Sequence, residues 1–140
     1  MIQSILLATD GSSASERAAN FAASLAKCYH ARVTVVHAFT PVPVVPGEPN
    51  SKRSLYETQD QARSLVDRVE KRLHEMGINK VGTEVIEGPP AHVILGVAET
   101  CQPDMIVVGA RGLSTWQGAL LGSVSMAVAQ RSEFPVLVVR

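Results

Sequence analysis

Short apolar runs alternate with segments of helical periodicity along the whole chain, and this alternation constrains the fold more than any other feature. Each run is rich in Ile, Leu and Val and has the length of a strand. Because long intervals separate the runs and most are apolar on both faces, they favour a parallel sheet that is covered on each side. The five predicted strands lie in 2–9, 31–39, 80–87, 104–110 and 134–140.

Four segments of helical periodicity fill the intervals between the runs. The second ends at Gly77, a residue type that commonly closes a helix in the left-handed conformation. The third begins at 88 and stops before Pro103, and the fourth spans 123–131. The first segment has apolar residues at spacings of three and four behind a capping box. Its box is Ser13 and Glu16, and its stripe is Ala18, Phe21, Ala22, Leu25 and Cys28.

Strands and helices therefore alternate, which predicts an α/β fold: a doubly wound five-stranded parallel sheet with four helices on its two faces. The chain has 140 residues, of which 46% are hydrophobic and 19% charged. A chain of this size can bury one core of ordinary dimensions and has no room for a second. We expect residues 1–140 to form a single domain.

Charge and cysteine content exclude several classes of function. Lys and Arg total 13, as do Asp and Glu, so the chain has no net field to attract nucleic acid or an anionic membrane. The apolar runs are too short to cross a bilayer, and no export signal is recognisable, which predicts a cytoplasmic protein. Cys28 and Cys101 lie in helical segments without CxxC spacing, so we expect reduced thiols buried in the core.

Residues 40–51 interrupt the alternation with four prolines in twelve residues. Such a stretch is too stiff for a helix and too poor in donors for a central strand, so it is predicted to be a loop after the second strand. Its length exceeds what a bare connection requires. Two interpretations therefore stay open, a lid over a ligand and a plain connector.

Two predicted strand ends carry residues that are suited to binding. Open parallel sheets bind ligands beyond the carboxyl ends of their strands, at the point where the strand order reverses. Asp10 follows the first strand, and the glycine-rich stretch 109–125 follows the fourth. Glycines let the backbone approach a phosphate closely, and the Ser123 hydroxyl and first-turn amides of the last helix can donate to its oxygens. Glycines also permit tight turns and close helix packing, but their combination with a helix start at Gly122 favours an anion cradle.

The glycine-rich stretch matches a known pattern. Gly109, Gly112, Gly122 and Ser123 form the spacing G-x2-G-x9-G-[ST], and the chain thereby resembles the ATP-binding branch of the universal stress protein family. The resemblance extends from ILLATDGSSASERA at the front of the chain to PVLVV at its end. It implies the strand order 3-2-1-4-5, which brings Asp10 next to Gly109.

The resemblance also implies a set of nucleotide-binding residues. Those at the adenosine end are Ala8, Thr9 and Asp10, together with Ala38 in the apolar wall for the base and Gly109 against the ribose. Those around the phosphates, acting through backbone amides and hydroxyls, are Gly112, Gly122, Ser123, Val124 and Ser125. Arg111 could add a positive charge, or it could be a solvated loop arginine. Many relatives carry a basic residue where this chain has Gly118, which weakens the expected hold on the triphosphate tail.

ATP is the implied cofactor, with Mg carried by the nucleotide rather than by a protein site. No lysine occurs in 109–140, so the stretch is not a phosphate-transferring P-loop, and the GxGxxG fingerprint of dehydrogenases is absent as well. No catalytic residue is predicted. We interpret the chain as an ATP-binding stress-response regulatory protein, a nucleotide-dependent switch or interaction module with slow or no hydrolysis and an unidentified protein partner.

Two alternatives to the switch stay open. The first is a slow ATPase or self-phosphorylating kinase, for which Ser123 or Ser125 would be the nearest acceptor. The second is a nucleotide-free dimeric interaction protein. The intact glycine pattern disfavours the second alternative.

The last apolar run predicts an interface. A long apolar strand at a sheet edge invites uncontrolled pairing unless something covers it. The family resemblance implies a homodimer in which the strands from Phe134 to Val139 of two subunits pair antiparallel.

Overall fold

The computed structural model describes residues 1–41, 51–110 and 121–140, and of residues 51–58 it describes the backbone alone. Strand and helix alternate along the described chain, as the apolar runs and helical stripes predict. The elements are β1 (Ser4–Ala8), α1 (Ser13–Tyr29), β2 (Arg32–Phe39), α2 (Ser51–Glu75), β3 (Val81–Glu87), α3 (Pro90–Cys101), β4 (Met105–Gly109), α4 (Ser123–Arg131) and β5 (Val136–Val139).

The strands form one sheet in the order β3-β2-β1-β4-β5, and all neighbouring pairs are parallel. The predicted α/β class is confirmed, as is the strand order that the family resemblance implies. β1 lies at the centre, with Leu7 level with Val35 of β2 on one side and with Val107 of β4 on the other. The order reverses between β1 and β4, so the loops that follow these two strands diverge there.

Helices cover both faces of the sheet and bury a core on each. On one face α1 and α2 pack against Ile5, Leu7 and Val107; on the other α3 and α4 pack against Leu6, Ile106 and Val108. Every one of these strand residues has at most 5% of its surface exposed. Burial of both strand faces explains why the central runs show no alternation of apolar and polar residues.

The α1 helix differs from its prediction in its cap and in its buried face. Ser12, not Ser13, is the N-cap, and its hydroxyl accepts from the Ser15 amide at 3.2 Å. Phe21 is 55% exposed and Cys28 is exposed, so the predicted stripe is wrong at both positions. The buried face consists instead of small residues: Ala14, Ser15, Ala18, Ala19, Ala22, Ala23 and Ala26.

Cys101 is only partly buried, at the end of α3, so the prediction of two core thiols is wrong for Cys28 and only partly right for Cys101. Burial raises the pKa of the Cys101 thiol. The thiol therefore stays protonated at neutral pH and is a poor nucleophile.

The other helices follow their predictions closely. Gly77 closes α2 with a φ of +91°, α3 ends before Pro103, and α4 has the predicted bounds. Most of the proline-rich stretch, 42–50, lies outside the described residues.

Candidate functional site

A cleft opens at the carboxyl ends of β1 and β4, where the strand order reverses. It has a volume of about 180 Å³. Its walls come from the ends of β1, β2 and β4 and from the first turns of α1, α3 and α4. The lining residues are Ala8, Thr9, Asp10, Ser12, Ser15, Val36, Ala38, Pro90, Ile94, Val108, Gly109, Gly122, Ser123, Val124 and Ser125.

The predicted site residues that the structure describes all line this one cleft. They come from the ends of β1, β2 and β4 and from the start of α4, so the fold brings together segments that are more than a hundred residues apart in sequence. Arg111 and Gly112 lie outside the described residues, as does Gly118. That these residues contact a nucleotide stays a prediction.

The turn after β1 is held in shape by hydrogen bonds from both sides. The Ser12 amide donates to Asp10 Oδ1 at 2.9 Å, which fixes the carboxylate, and Gly11 has a φ of +80° that favours glycine. The Thr9 amide donates to the Val36 carbonyl at 3.0 Å. His37 Nδ1 lies 2.8 Å from the Thr9 carbonyl oxygen, to which it donates. These hydrogen bonds hold the backbone of the cleft floor at Asp10 in this conformation.

Behind this turn, the side chains of Thr9 and Ser15 form a buried polar wall. Thr9 Oγ1 donates to Ser15 Oγ at 3.3 Å, and Ser15 Oγ donates to the Ser12 carbonyl at 2.8 Å. Both residues are less than a tenth exposed. Their hydroxyl protons are used within the fold, so they shape the cleft without offering free donors.

Gly109 is required by the packing of α1 on the sheet. A Cβ at this position would lie 2.8 Å from the Ala14 carbonyl carbon and 3.0 Å from the Ser15 nitrogen. These distances are shorter than van der Waals contact. Gly109, the first glycine of the pattern, is therefore needed for close helix packing. Its backbone also lines the cleft.

The N-terminus of α4 gives the cleft a partial positive charge. Gly122 is the N-cap, and no side chain of the described residues caps the helix. Within the described part of the chain, the amides of Ser123, Val124 and Ser125 in the first turn therefore have neither an intrahelical nor a side-chain acceptor. Aligned amides of this kind, together with the helix dipole, attract anions.

The serines of this turn differ in what their hydroxyls can do. Ser125 is buried, and its hydroxyl lies 2.7 Å from the Ala110 carbonyl and 3.0 Å from that of Gly122, so it ties the helix start to the end of β4. Its amide, not its hydroxyl, is the group available to a phosphate. Ser123 is exposed, and its hydroxyl has no hydrogen-bond partner among the described residues.

Apolar side chains also line the cleft. Val36, Ile94 and Val108 are buried, and Pro90 begins α3 at the cleft's mouth. Sequence reasoning missed them. Val36 precedes Ala38 by two residues and therefore shares its face of the strand, a signal that could have identified it. Pro90 and Ile94 gave no comparable signal, because their position depends on how α3 packs.

Asp10 is the ionisable side chain among the described residues of the lining. No group of three or more potential metal-ligating side chains occurs in the described part of the chain. An anion in the cleft would thus be held by amides and the dipole of α4. A flat apolar group would fit against the aliphatic wall.

A doubly wound sheet with a cleft of this kind at its switch point defines the class of open α/β ligand-binding domains. The model of the universal stress protein family matches residues 1–140. The chain belongs to that family. No helix in the described ranges has the length and apolar character needed to cross a membrane.

A sequence relative supports the assignment to this family, and two solved structures share the fold. A universal stress protein of Thermus aquaticus is 39% identical over 143 residues, which cover 100% of both chains. The structure of UspA from Lactobacillus plantarum superposes with a TM-score of 0.87 at 23% identity, over 99% of this chain and 98% of that one. A universal stress protein in complex with cAMP has a TM-score of 0.76 at 29% identity, over 99% and 97%.

Proposed function

We propose that this chain binds an adenine nucleotide, ATP, in the cleft and acts as a nucleotide-dependent regulatory switch that a partner protein reads. One observation carries the proposal: the Asp10 turn and the N-terminus of α4 meet in a single cleft with an aliphatic wall. The aliphatic wall suits the base of a nucleotide, the Asp10 carboxylate suits the ribose, and the first-turn amides of α4 suit the phosphates. The complex of a relative with cAMP supports an adenine nucleotide as the ligand class.

The nucleoside end of the cleft would be formed by β1 and β2. The base would pack between Ala8, Ala38 and Val36, where burial of its apolar faces supplies the affinity. Thr9 and Asp10 would border the ribose, with the Asp10 carboxylate as an acceptor for a sugar hydroxyl. Gly109 would let the sugar approach the end of β4.

The phosphates would lie at the start of α4. Gly122, Ser123, Val124 and Ser125 would surround them, with amides from the first turn and a hydroxyl from Ser123. Gly112 and Arg111, outside the described residues, would complete this end. Mg would arrive with the nucleotide, because one carboxylate makes a weak magnesium site.

The arrangement favours binding over fast turnover. His37, the histidine nearest the turn, donates Nδ1–H to the Thr9 carbonyl from within β2, so it serves the fold rather than a general-base role. No lysine follows Gly109 to reach terminal phosphates. We therefore propose slow or no hydrolysis.

The alternative of a self-phosphorylating kinase has one supporting observation. The Ser123 hydroxyl is exposed at the helix start, whereas the Ser125 hydroxyl is buried and bonded within the fold. If phosphoryl transfer to the protein occurs, Ser123 is the acceptor that the geometry favours.

We also propose a cytoplasmic homodimer. β5 lies at an edge of the sheet, and its side chains are mostly half-buried and apolar. Antiparallel pairing with the β5 of a second copy, over the run from Phe134 to Val139, would cover this edge.

Calorimetric titration with MgATP, AMP and cAMP tests the nucleotide proposal, with the Gly122→Asp variant beside the parent. Gly122 has a φ of −73°, which any residue adopts, and Asp is a favoured N-cap, so the variant should fold. Its carboxylate would occupy the amides that the phosphate needs. We expect the affinity for ATP to fall at least about tenfold.

Gly96→Asp is the matched control. It adds the same charge at a position of α3 that does not line the cleft and where a Cβ would meet nothing within 4 Å. Its affinity should equal that of the parent. Absence of binding by a parent free of copurified nucleotide would reject the switch and favour a nucleotide-free interaction protein. Release of phosphate well above background, abolished by Gly122→Asp, would favour the enzyme.

A further inference from the structure

A second cavity lies on the other face of the sheet, behind the turn that forms the floor of the cleft. It has a volume of about 170 Å³ and lies between α1 and α2. Thr9 and Ser15 line this cavity and the cleft alike, so their hydrogen-bonded side chains separate the two. The residues of the cavity, named here the α1–α2 pocket, are Thr9, Gly11, Ser15, Glu16, Ala19, Leu65, Arg68, Val69 and Arg72.

The α1–α2 pocket carries an excess of positive charge. Arg68 and Arg72 lie one turn apart on α2, a spacing at which like charges destabilise a helix. Glu16 is the carboxylate in the lining, and its Oε2 lies 4.0 Å from Arg72 Nη1. Arg72 also donates from Nη2 to Asn20 Oδ1 at 2.9 Å, so its guanidinium is held in place.

Arg68, unlike Arg72, has no ion pair with any residue that the structure describes. Its guanidinium therefore has its fork of N–H donors available beside the pocket. Arg72, which is held in place, and Arg68, whose donors are available, both line the pocket, and Leu65 and Val69 add aliphatic surface to it. The pocket therefore has two guanidinium groups at its wall.

We propose that the α1–α2 pocket binds a small oxyanion, a phosphate or carboxylate group, between the guanidinium groups of Arg68 and Arg72. Guanidinium matches the geometry of both anions through paired N–H donors. The hydroxyl protons of Thr9 and Ser15 are committed within the fold, so the arginines supply the donors. The site is distinct from the nucleotide cleft and does not depend on the proposed function.

The test is a titration of nucleotide-free protein with inorganic phosphate at constant ionic strength, followed by the NMR signals of the arginine Nε–H groups and backbone amides. We expect a saturable shift of the Arg68 Nε–H signal and of the Gly11 amide. Arg68→Gln should weaken binding about tenfold, the effect of losing a charge-assisted hydrogen bond. Glu16→Gln, which removes the carboxylate, should tighten it by about threefold.

Arg63→Gln is the matched control, because Arg63 is also exposed on α2 and does not line the pocket. It should bind phosphate as the parent does. A parallel titration with acetate shows whether a carboxylate suffices. The proposal is overturned if neither anion shifts Arg68 saturably, if Arg63→Gln weakens binding as much as Arg68→Gln, or if the shifts are confined to the Ser123–Ser125 amides in the cleft.

Discussion

Gly109 shows how one residue can serve packing and binding together. Adding a methyl group places Cβ 2.8 Å from the backbone of Ala14, so α1 must shift away from the sheet. We expect Gly109→Ala to lower the free energy of unfolding by about 1–3 kcal/mol, the usual cost of overpacking. Urea denaturation measures it.

Gly96→Ala is the control for this prediction. Its Cβ would meet nothing within 4 Å, and alanine favours the helix interior. The free energy of unfolding should therefore rise by about 0.5–1 kcal/mol. Equal effects of the two substitutions would show that α1 does not pack closely on Gly109.

Asp104 makes the stability of the sheet depend on pH. Its carboxylate accepts from the amides of Gln3 at 2.7 Å and Ser4 at 2.9 Å, and these hydrogen bonds lower the pKa of Asp104. Because the folded pKa lies below the unfolded one, the stabilisation is complete above about pH 4, the ordinary value for Asp, and is lost as the pH falls through the folded pKa.

The Asp104→Asn variant should therefore have a lower melting temperature than the parent at neutral pH. The difference in melting temperature should become smaller as the pH falls. Thermal unfolding of both proteins between neutral pH and about pH 3 measures this. A difference in melting temperature that stays constant over the range would contradict the assigned role of the carboxylate.

At the scale of elements, two serines in the first turn of α4 have different roles: Ser125 stabilises the fold, and Ser123 is proposed to bind the nucleotide. Ser125→Ala removes a buried hydroxyl that bonds to the Ala110 carbonyl, and we expect the free energy of unfolding to fall by about 1–2 kcal/mol. Ser123→Ala removes an exposed hydroxyl and should change stability by less than about 0.5 kcal/mol.

For nucleotide affinity, Ser123→Ala should have the larger effect and Ser125→Ala the smaller one. Ser123→Ala should weaken ATP binding measurably, whereas Ser125→Ala keeps its amide and should bind ATP as the parent does while it remains folded. Calorimetry at a temperature where both variants are native measures this. Unchanged binding by Ser123→Ala would remove the Ser123 hydroxyl from the proposed contacts.

The α1 helix explains where sequence reasoning failed. The predicted stripe joins Phe21 and Cys28 to Ala18 and Ala22. The two alanines are buried, but Phe21 and Cys28 are exposed, and the face that packs on the sheet consists of small residues, mostly alanine. The cause is the close approach at Gly109, which leaves room only for small side chains. A pattern within one helix cannot reveal how near its partner lies.

Other elements were predictable because local rules and tertiary packing agree in them. Apolar composition alone identified the buried strands, and the fourth helix has its predicted bounds, Ser123–Arg131. The Asp10 turn and the start of α4 followed from the topology of parallel sheets. The aliphatic wall from Ile94 did not, because it depends on the packing of α3.

At the scale of the whole molecule, β5 forms one edge of the sheet, and the proposed homodimer would pair along this edge. The carbonyl of Pro135 accepts from the amide of Ile106 in β4, and the carbonyl of Val139 accepts from the amide of Ala110, directly after β4. Because successive residues of a strand alternate direction, the amide of Val138 points away from β4. Proline is tolerated at such an outward position.

Val138→Pro should therefore abolish the proposed homodimer and leave the fold intact. Light scattering coupled to gel filtration should give a dimer for the parent and a monomer for the variant, with similar circular dichroism. Val138→Thr, which keeps the amide, is the matched control and should stay dimeric. A monomeric parent, or a dimer that survives Val138→Pro, would reject edge pairing through β5.

The central claim is that a nucleotide lies between the Asp10 turn and the start of α4. The most direct measurement is a titration of isotope-labelled protein with MgATP, followed through every backbone amide. The account predicts saturable shifts that are largest at Thr9–Ser12 and Gly122–Ser125. No saturable shift, or shifts confined to segments remote from the cleft such as Val81–Glu87, would contradict it.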